Sequence, residues 1–144
     1  MAKLNHLEFS SFFSKDNKWS YNLVRGELTS EKQMPQSGVV NYQGQVFYGT
    51  EHSRDLIKGI SSFAVDFGQK TVSGRFNVAG KQIDLAVATI SENTFRHHSH
   101  QREEKTQEFM RGYFFGKNAA ELGGVWEREK DDTAESAVFG ATKQ

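Results

Sequence analysis

The segment from Gly112 to Trp126, Gly-Tyr-Phe-Phe-Gly-Lys-Asn-Ala-Ala-Glu-Leu-Gly-Gly-Val-Trp, restricts what this chain can fold into more than any other. Tyr113, Phe114 and Phe115 are aromatic residues of the kind enriched in strands. Asn118 predicts the N-cap of a single helical turn, and Glu121, three residues on, is placed to reach back in a capping box. Gly123 and Gly124 supply permissive backbone for leaving that turn and re-entering a sheet at Val125 and Trp126. The run from Ala137 to Gln144 then predicts a last strand. A helical turn set between adjacent strands in this way is rare in β-proteins.

Hydrophobic residues make up 36% of the 144 positions and mean hydropathy is -0.66, so apolar side chains have to be used sparingly. Strands with one buried and one solvated face do so, because half of each strand can be polar. The 12 Phe, 4 Tyr and 2 Trp supply core bulk for one domain. The 18 basic and 18 acidic side chains cancel and are spread along the chain, which excludes the basic field of a nucleic-acid binder. With no cysteine, disulfides, thiol nucleophiles and cysteine-ligated metal sites are excluded together. The apolar runs are strand-sized, and neither a signal peptide nor a lipidation cysteine is present. A mature domain given a new start at Met1 and a genuinely short protein both fit that beginning.

Alternation predicts the remaining strands. Leu7, Phe9 and Phe13 share a face of a first strand over 4–13, and Trp19, Tyr21 and Leu23 of a second over 19–28. Thr29 to Gly38, with the only proline, Pro35, is a connector. Val40, Tyr42, Val46 and Tyr48 mark a third strand, and Gly49 to Gly59 a loop. Phe63, Val65 and Phe67 mark the next, followed by Val72, Phe76 and Val78, and then by Ile83, Leu85 and Val87. A weak strand is predicted over 94–98, a polar loop from His97 to Gln107, a strand over 109–115, and a second polar loop from Glu127 to Glu135. Turn signals roughly every 8–12 residues, with connections too short for crossover helices, predict an all-β fold. The predicted architecture is an antiparallel up-and-down β-barrel of about eight strands, with one short helical turn near residues 118–122.

Three further stretches extend the C-terminal pattern: Gly38-Val-Val-Asn-Tyr-Gln-Gly44, Phe63-Ala-Val-Asp-Phe-Gly-Gln-Lys-Thr-Val-Ser-Gly74, and Ile83-Asp-Leu-Ala-Val-Ala-Thr-Ile90 with Phe95. Their order and spacing resemble the C-terminal β-barrel domain of transferrin-binding protein B-like surface lipoproteins and hemophores of Gram-negative bacteria. The resemblance runs from about residue 38 to the C-terminus. It implies a barrel domain at 38–144, with 1–37 as N-terminal strands leading into it. Those two predicted strands are less than the handle domain that the family often places ahead of a barrel.

The resemblance also implies a non-catalytic binding domain, surface-exposed on the outer membrane or secreted, serving iron or haem acquisition or host-protein interaction. Its implied partners are a host iron- or haem-carrying protein, or another host protein, and the outer-membrane export machinery that recognises such barrels. Membrane contact would come only through a lipid anchor outside this chain. Gly112, Gly116, Gly123, Gly124 and Phe139 imply architecture and carry no assigned ligand contact.

His97, His98 and His100 are the densest imidazole cluster, and a neutral imidazole can ligate zinc, copper or haem iron. In an extended segment His98 and His100 project to the same side, which falls short of the ligand set of a structural zinc site. A haem or metal carrier using this loop stands beside a plain solvated hairpin tip. Arg96, Arg102 and Lys105 would suit haem propionates, although Glu103 and Glu104 offset their charge. His6 and His52 are further imidazoles that could approach in space. A lipocalin-like barrel holding a small lipid is a weaker alternative, since the inward aromatics predict a filled lumen. Asp66, Asp84 and Glu8 are predicted as outward strand carboxylates. Neither a nucleophile elbow nor a phosphate-binding glycine loop is present, so an enzyme is not expected.

Overall fold

Inward apolar residues alternating with outward polar ones build most strands of this chain. The computed structural model describes residues 2–13, 20–50, 56–131 and 133–144, the side chains of residues 12, 13, 20 and 21 excepted. Trp19 and His52, and the side chains of Phe13 and Tyr21, therefore lie outside what is described.

Three N-terminal strands, β1 (Ala2–Lys3), β2 (Leu7–Phe13) and β3 (Ser20–Gly26), form a small antiparallel sheet. The barrel follows: β4 (Val39–Thr50), β5 (Ile57–Asp66), β6 (Thr71–Val78), β7 (Lys81–Asp84), β8 (Ala88–Ser91), β9 (Thr94–Gln101), β10 (Thr106–Phe115), β11 (Glu121–Lys130) and β12 (Thr133–Lys143). All pairings are antiparallel, and β12 returns to β4 with Lys143 opposite Tyr42, so the ring is closed. The short β7 and β8 both pair with β6 and act as two pieces of one interrupted strand, giving an eight-stranded up-and-down barrel. The all-β barrel expected from the sequence is the fold observed. Strands also take over both ends of the loop expected at 49–59, since β4 reaches Thr50 and β5 starts at Ile57.

The interruption between β7 and β8 has a local cause. Ile83 and Leu85 are buried, then Ala88 and Ile90, so one extra residue shifts the alternation and leaves Val87 on the surface. Val87 is therefore not the core-facing strand residue that its spacing predicts. The backbone N–H of Ala86 donates to the Glu108 carboxylate at 2.7 Å instead of to a ladder carbonyl.

Tyr42, Phe63, Phe76, Phe95, Phe114, Trp126 and Phe139 converge in the lumen, all at most 3% exposed. Phe63 and Phe139 approach to 4.9 Å between ring centroids, and Phe76 meets the Trp126 ring edge-on at 5.7 Å. Rings at these separations are in direct contact and fill the interior. Gly112 makes this packing possible: a Cβ there would lie 2.0 Å from the Phe95 ring.

The segment from Gly112 to Trp126 folds differently from its expected capping box. The helical turn is a 3-10 turn at Lys117–Ala119, entered through Gly116 at φ 80° with no side-chain cap, and Asn118 sits inside it at φ 55°. Glu121 begins β11 instead of closing the turn, and Gly123 and Gly124 lie within that strand. A second 3-10 turn, Glu31–Gln33, lies in the connector, which also delivers Met34 to the core.

The N-terminal sheet leans on the outer wall of the barrel. Leu7 and Phe9 bury themselves against Phe115 and Val138, with Val24, Phe47, Tyr113 and Val125 packed around them. The Glu121 carboxylate, itself 1% exposed, accepts hydrogen bonds from the backbone N–H groups of Asn5 and His6 and from the Thr142 hydroxyl. A side chain expected to cap a helix thus pins the β1–β2 turn to the barrel.

Candidate functional site

The histidine segment is a regular strand and not a loop. β9 runs to Gln101 and β10 starts at Thr106, so only the residues between them turn, where a polar loop from His97 to Gln107 is predicted. Polar residues are tolerated there because one face of β9 meets water and its inward face has reached the barrel rim. His97 lies opposite Met110 on the inner face, half-buried, with Nε2 3.1 Å from the Ser99 hydroxyl. His98 and His100 are exposed on the outer face, His98 edge-on to Phe109 at 6.4 Å. Alternation therefore separates His97 from the other two. His6 does not join them: it lies beside Gly116, with Nδ1 3.6 Å from the Glu27 carboxylate, past the other end of β10. Among the described residues no three His, Cys, Asp or Glu side chains are grouped to hold a metal ion.

The candidate acids have structural partners. Glu8 accepts from Arg25, Asp66 accepts from the backbone N–H of Gln69, and Asp84 accepts from the Gln82 amide.

The rim that carries His97 also holds a polar network that sequence reasoning missed. β11 continues to Lys130 and β12 begins at Thr133, paired from Glu127 opposite Ser136 to Lys130 opposite Thr133, where a loop from Glu127 to Glu135 is predicted. Arg128 shares the inward face of Trp126, and Glu135 that of Ala137, so the two turn toward each other below the hairpin. Arg128 Nε donates to Glu135 at 2.7 Å, its guanidinium lies 5.2 Å over the Trp126 ring, and the Tyr48 hydroxyl donates to Glu135 at 2.7 Å. Lys81, the first residue of β7, approaches to 4.0 Å. Burial alone would raise the Glu135 carboxyl. Hydrogen bonds from Arg128 and Tyr48, with the charges of Arg128 and Lys81, outweigh it and hold the carboxyl below its usual range. Burial, followed by its bond to Glu135, pushes the Tyr48 hydroxyl well above the usual phenol range. Beside this network Glu108 accepts from the Trp126 indole at 3.1 Å. The signal that could have found it is period two continuing through charged residues.

The opposite end is closed by the connector. Thr29 donates its hydroxyl to the Gly116 carbonyl at 2.7 Å, Asn93 donates to the Thr29 carbonyl, and the Tyr42 hydroxyl donates to the Ala119 carbonyl. A small pocket remains there between Met34, Pro35, Phe67, Lys70 and Ile90. With a filled lumen between two polar closures, the outer faces, hairpins and rims are left to meet other molecules.

The family profile described as the C-lobe and N-lobe beta barrels of Tf-binding protein B matches residues 34–143. The chain belongs to the transferrin-binding protein B barrel family. An uncharacterised protein of Haemophilus influenzae is 34% identical over 132 residues, covering 88% of this chain and 44% of that protein. Transferrin-binding protein B of Moraxella catarrhalis is 28% identical over 148 residues, covering 83% of this chain and 20% of its own length. The crystal structure of a transferrin-binding protein B point mutant from Haemophilus parasuis superposes with a TM-score of 0.76 at 23% identity. That match covers 98% of this chain and 34% of the other, and it supports the fold alone. The chain spans less than half the length of the curated relatives it matches. The family is one of non-catalytic binding proteins.

Proposed function

We propose that this barrel is a binding domain of a surface-exposed or secreted protein that engages a host iron-carrying protein, transferrin foremost, in bacterial iron acquisition. The observation that carries the reading is the family match over residues 34–143, joined to a lumen packed with its own aromatic rings. A barrel so filled works through the surface it displays on a rigid scaffold. Recognition by outer-membrane export machinery belongs to the same reading. Immobilised chain exposed to iron-loaded and iron-free transferrin, followed by biolayer interferometry, tests it. Saturable binding is expected, and no response to either form at micromolar concentration would remove transferrin as the partner.

A haem or metal carrier is the second reading, favoured by one observation: His98 and His100 share an exposed face beside Phe109. Titration with haemin should then give a Soret shift that His98→Ala/His100→Ala abolishes and His97→Ala, on the inner face, leaves in place. A wild-type chain with no shift ends that reading.

A further inference from the structure

Across the outer face of the barrel, β9 and β10 set Arg96 directly opposite Arg111, both exposed. Like charges directly opposite on a sheet repel, so an arrangement of this kind calls for a counter-charge. None of its outward neighbours directly across or along the strands is acidic. The outward neighbours of the pair across the strands are Thr89 on β8 and Val125 on β11. Along the strands they are Thr94, His98, Phe109 and Tyr113. Among the described residues neither guanidinium has a hydrogen bond or an ion pair. The nearest outward acid on β11, Glu127, stands opposite Phe109, one diagonal step away and unpaired with Arg111.

Of the other described strand arginines, Arg128 is held by Glu135, Arg25 by Glu8, and Arg75 has Asp84 opposite it across the strands. Arg96 and Arg111 differ from them together, at one place, beside the half-buried Phe109 and next to Tyr113, which packs against the N-terminal sheet. Arginine with phenylalanine belongs to the composition enriched at protein–protein contacts. Guanidinium groups side by side suit two carboxylates through directional, bidentate hydrogen bonds.

We propose that Arg96 and Arg111, bordered by Phe109, form a docking surface for an acidic segment of a protein partner. The surface lies on the wall of the barrel, not in its hairpins, and stands whether or not the partner is transferrin. A membrane surface fits less well, because stable attraction to anionic lipid takes a cluster of roughly four to eight basic residues. Glu127 and Glu129 on the adjoining strand also oppose a uniformly anionic sheet while giving a discrete acidic segment a defined register.

Titration of the isotopically labelled full chain with a short peptide of alternating Asp and Ser, followed by amide NMR shifts, tests the assignment. Saturable shifts centred on Arg96 and Arg111 are expected, weakened by salt, with affinity falling about tenfold for each of Arg96→Gln and Arg111→Gln. Equal binding by the double variant, or no shifts at millimolar peptide, would overturn the proposal. So would binding to phosphatidylglycerol vesicles without binding to the peptide. Melting temperatures of the variants are expected to equal or exceed wild type, since a repulsive pair is relieved. A lower value would make the arginines structural and remove the docking role. Arg96→Glu sharpens the test: it should pair with Arg111 across the strands, keep the fold, and abolish peptide binding.

Discussion

The lumen of the barrel and the sheet that leans on its outer wall both bury phenylalanines, with different support. In the lumen each ring is surrounded by others, from Phe63 and Phe139 to Phe76 and Trp126, inside a ring of strands closed at both β12–β4 and β5–β6. In the N-terminal sheet Leu7 and Phe9 pack against the barrel exterior. Two strands of 7 residues and one of 2 are too little to stand alone in water. The sheet borrows its core from the barrel, and Glu121 ties the two together through the Asn5 and His6 backbone. Stability is therefore expected to be graded, highest in the closed ring and lowest at the sheet.

The largest blow to that contrast is Trp126→Ala. It empties the centre of the lumen and frees Glu108 from the indole, so a loss of about 3–5 kcal/mol is expected, visible as a lower midpoint in urea unfolding. Hydrogen exchange should then rise in the barrel and the sheet alike.

Glu121→Ala should separate the two regions instead. Removing the carboxylate leaves the amides at Asn5 and His6 without their acceptor, at a cost of about 1–3 kcal/mol. Exchange is expected to rise in β1 to β3 while the barrel strands keep their protection. Equal loosening of both would show that the sheet and barrel form one cooperative unit.

The smallest effect concerns the barrel alone and is a matter of pH. The folded Glu135 carboxyl lies below its ordinary value of 4.5, so the charged form favours folding. That contribution is fully present above the unfolded value and is lost as pH falls through the lower folded value. Glu135→Gln should therefore flatten the acid side of the stability profile while lowering stability at neutral pH. An unchanged acid slope would place the network's charge coupling below detection.

Much of this is legible in the chain. Period-two alternation locates β4, β5, β6 and the aromatic core, because the inward residues Tyr42, Val46, Phe63, Val65, Val72 and Phe76 are apolar and buried. It fails at the rim, where Arg128, Glu135 and Glu108 face inward and have partners there. A hydropathy pattern reads such strands as loops, since it cannot see a charge neutralised by a partner on another strand. Asn118 and Glu121 have the spacing of a capping box, but tertiary contacts at the Asn5–His6 turn take the carboxylate instead. The histidines stand out in sequence as a cluster. Only the strand extending to Gln101 makes clear that the first of them faces inward and the other two face out.

The seam between β12 and β4 has a consequence for how such a unit can travel. Where the ring closes, Gln144 N–H donates to the Asn41 carbonyl at 2.9 Å, so the two ends of the barrel's path sit side by side. A module whose ends meet can be spliced into a larger polypeptide, or copied in tandem, without threading one chain through another. Joining those ends by a short linker and opening the ring at a hairpin would yield a permuted barrel with its hydrogen-bond ladder intact.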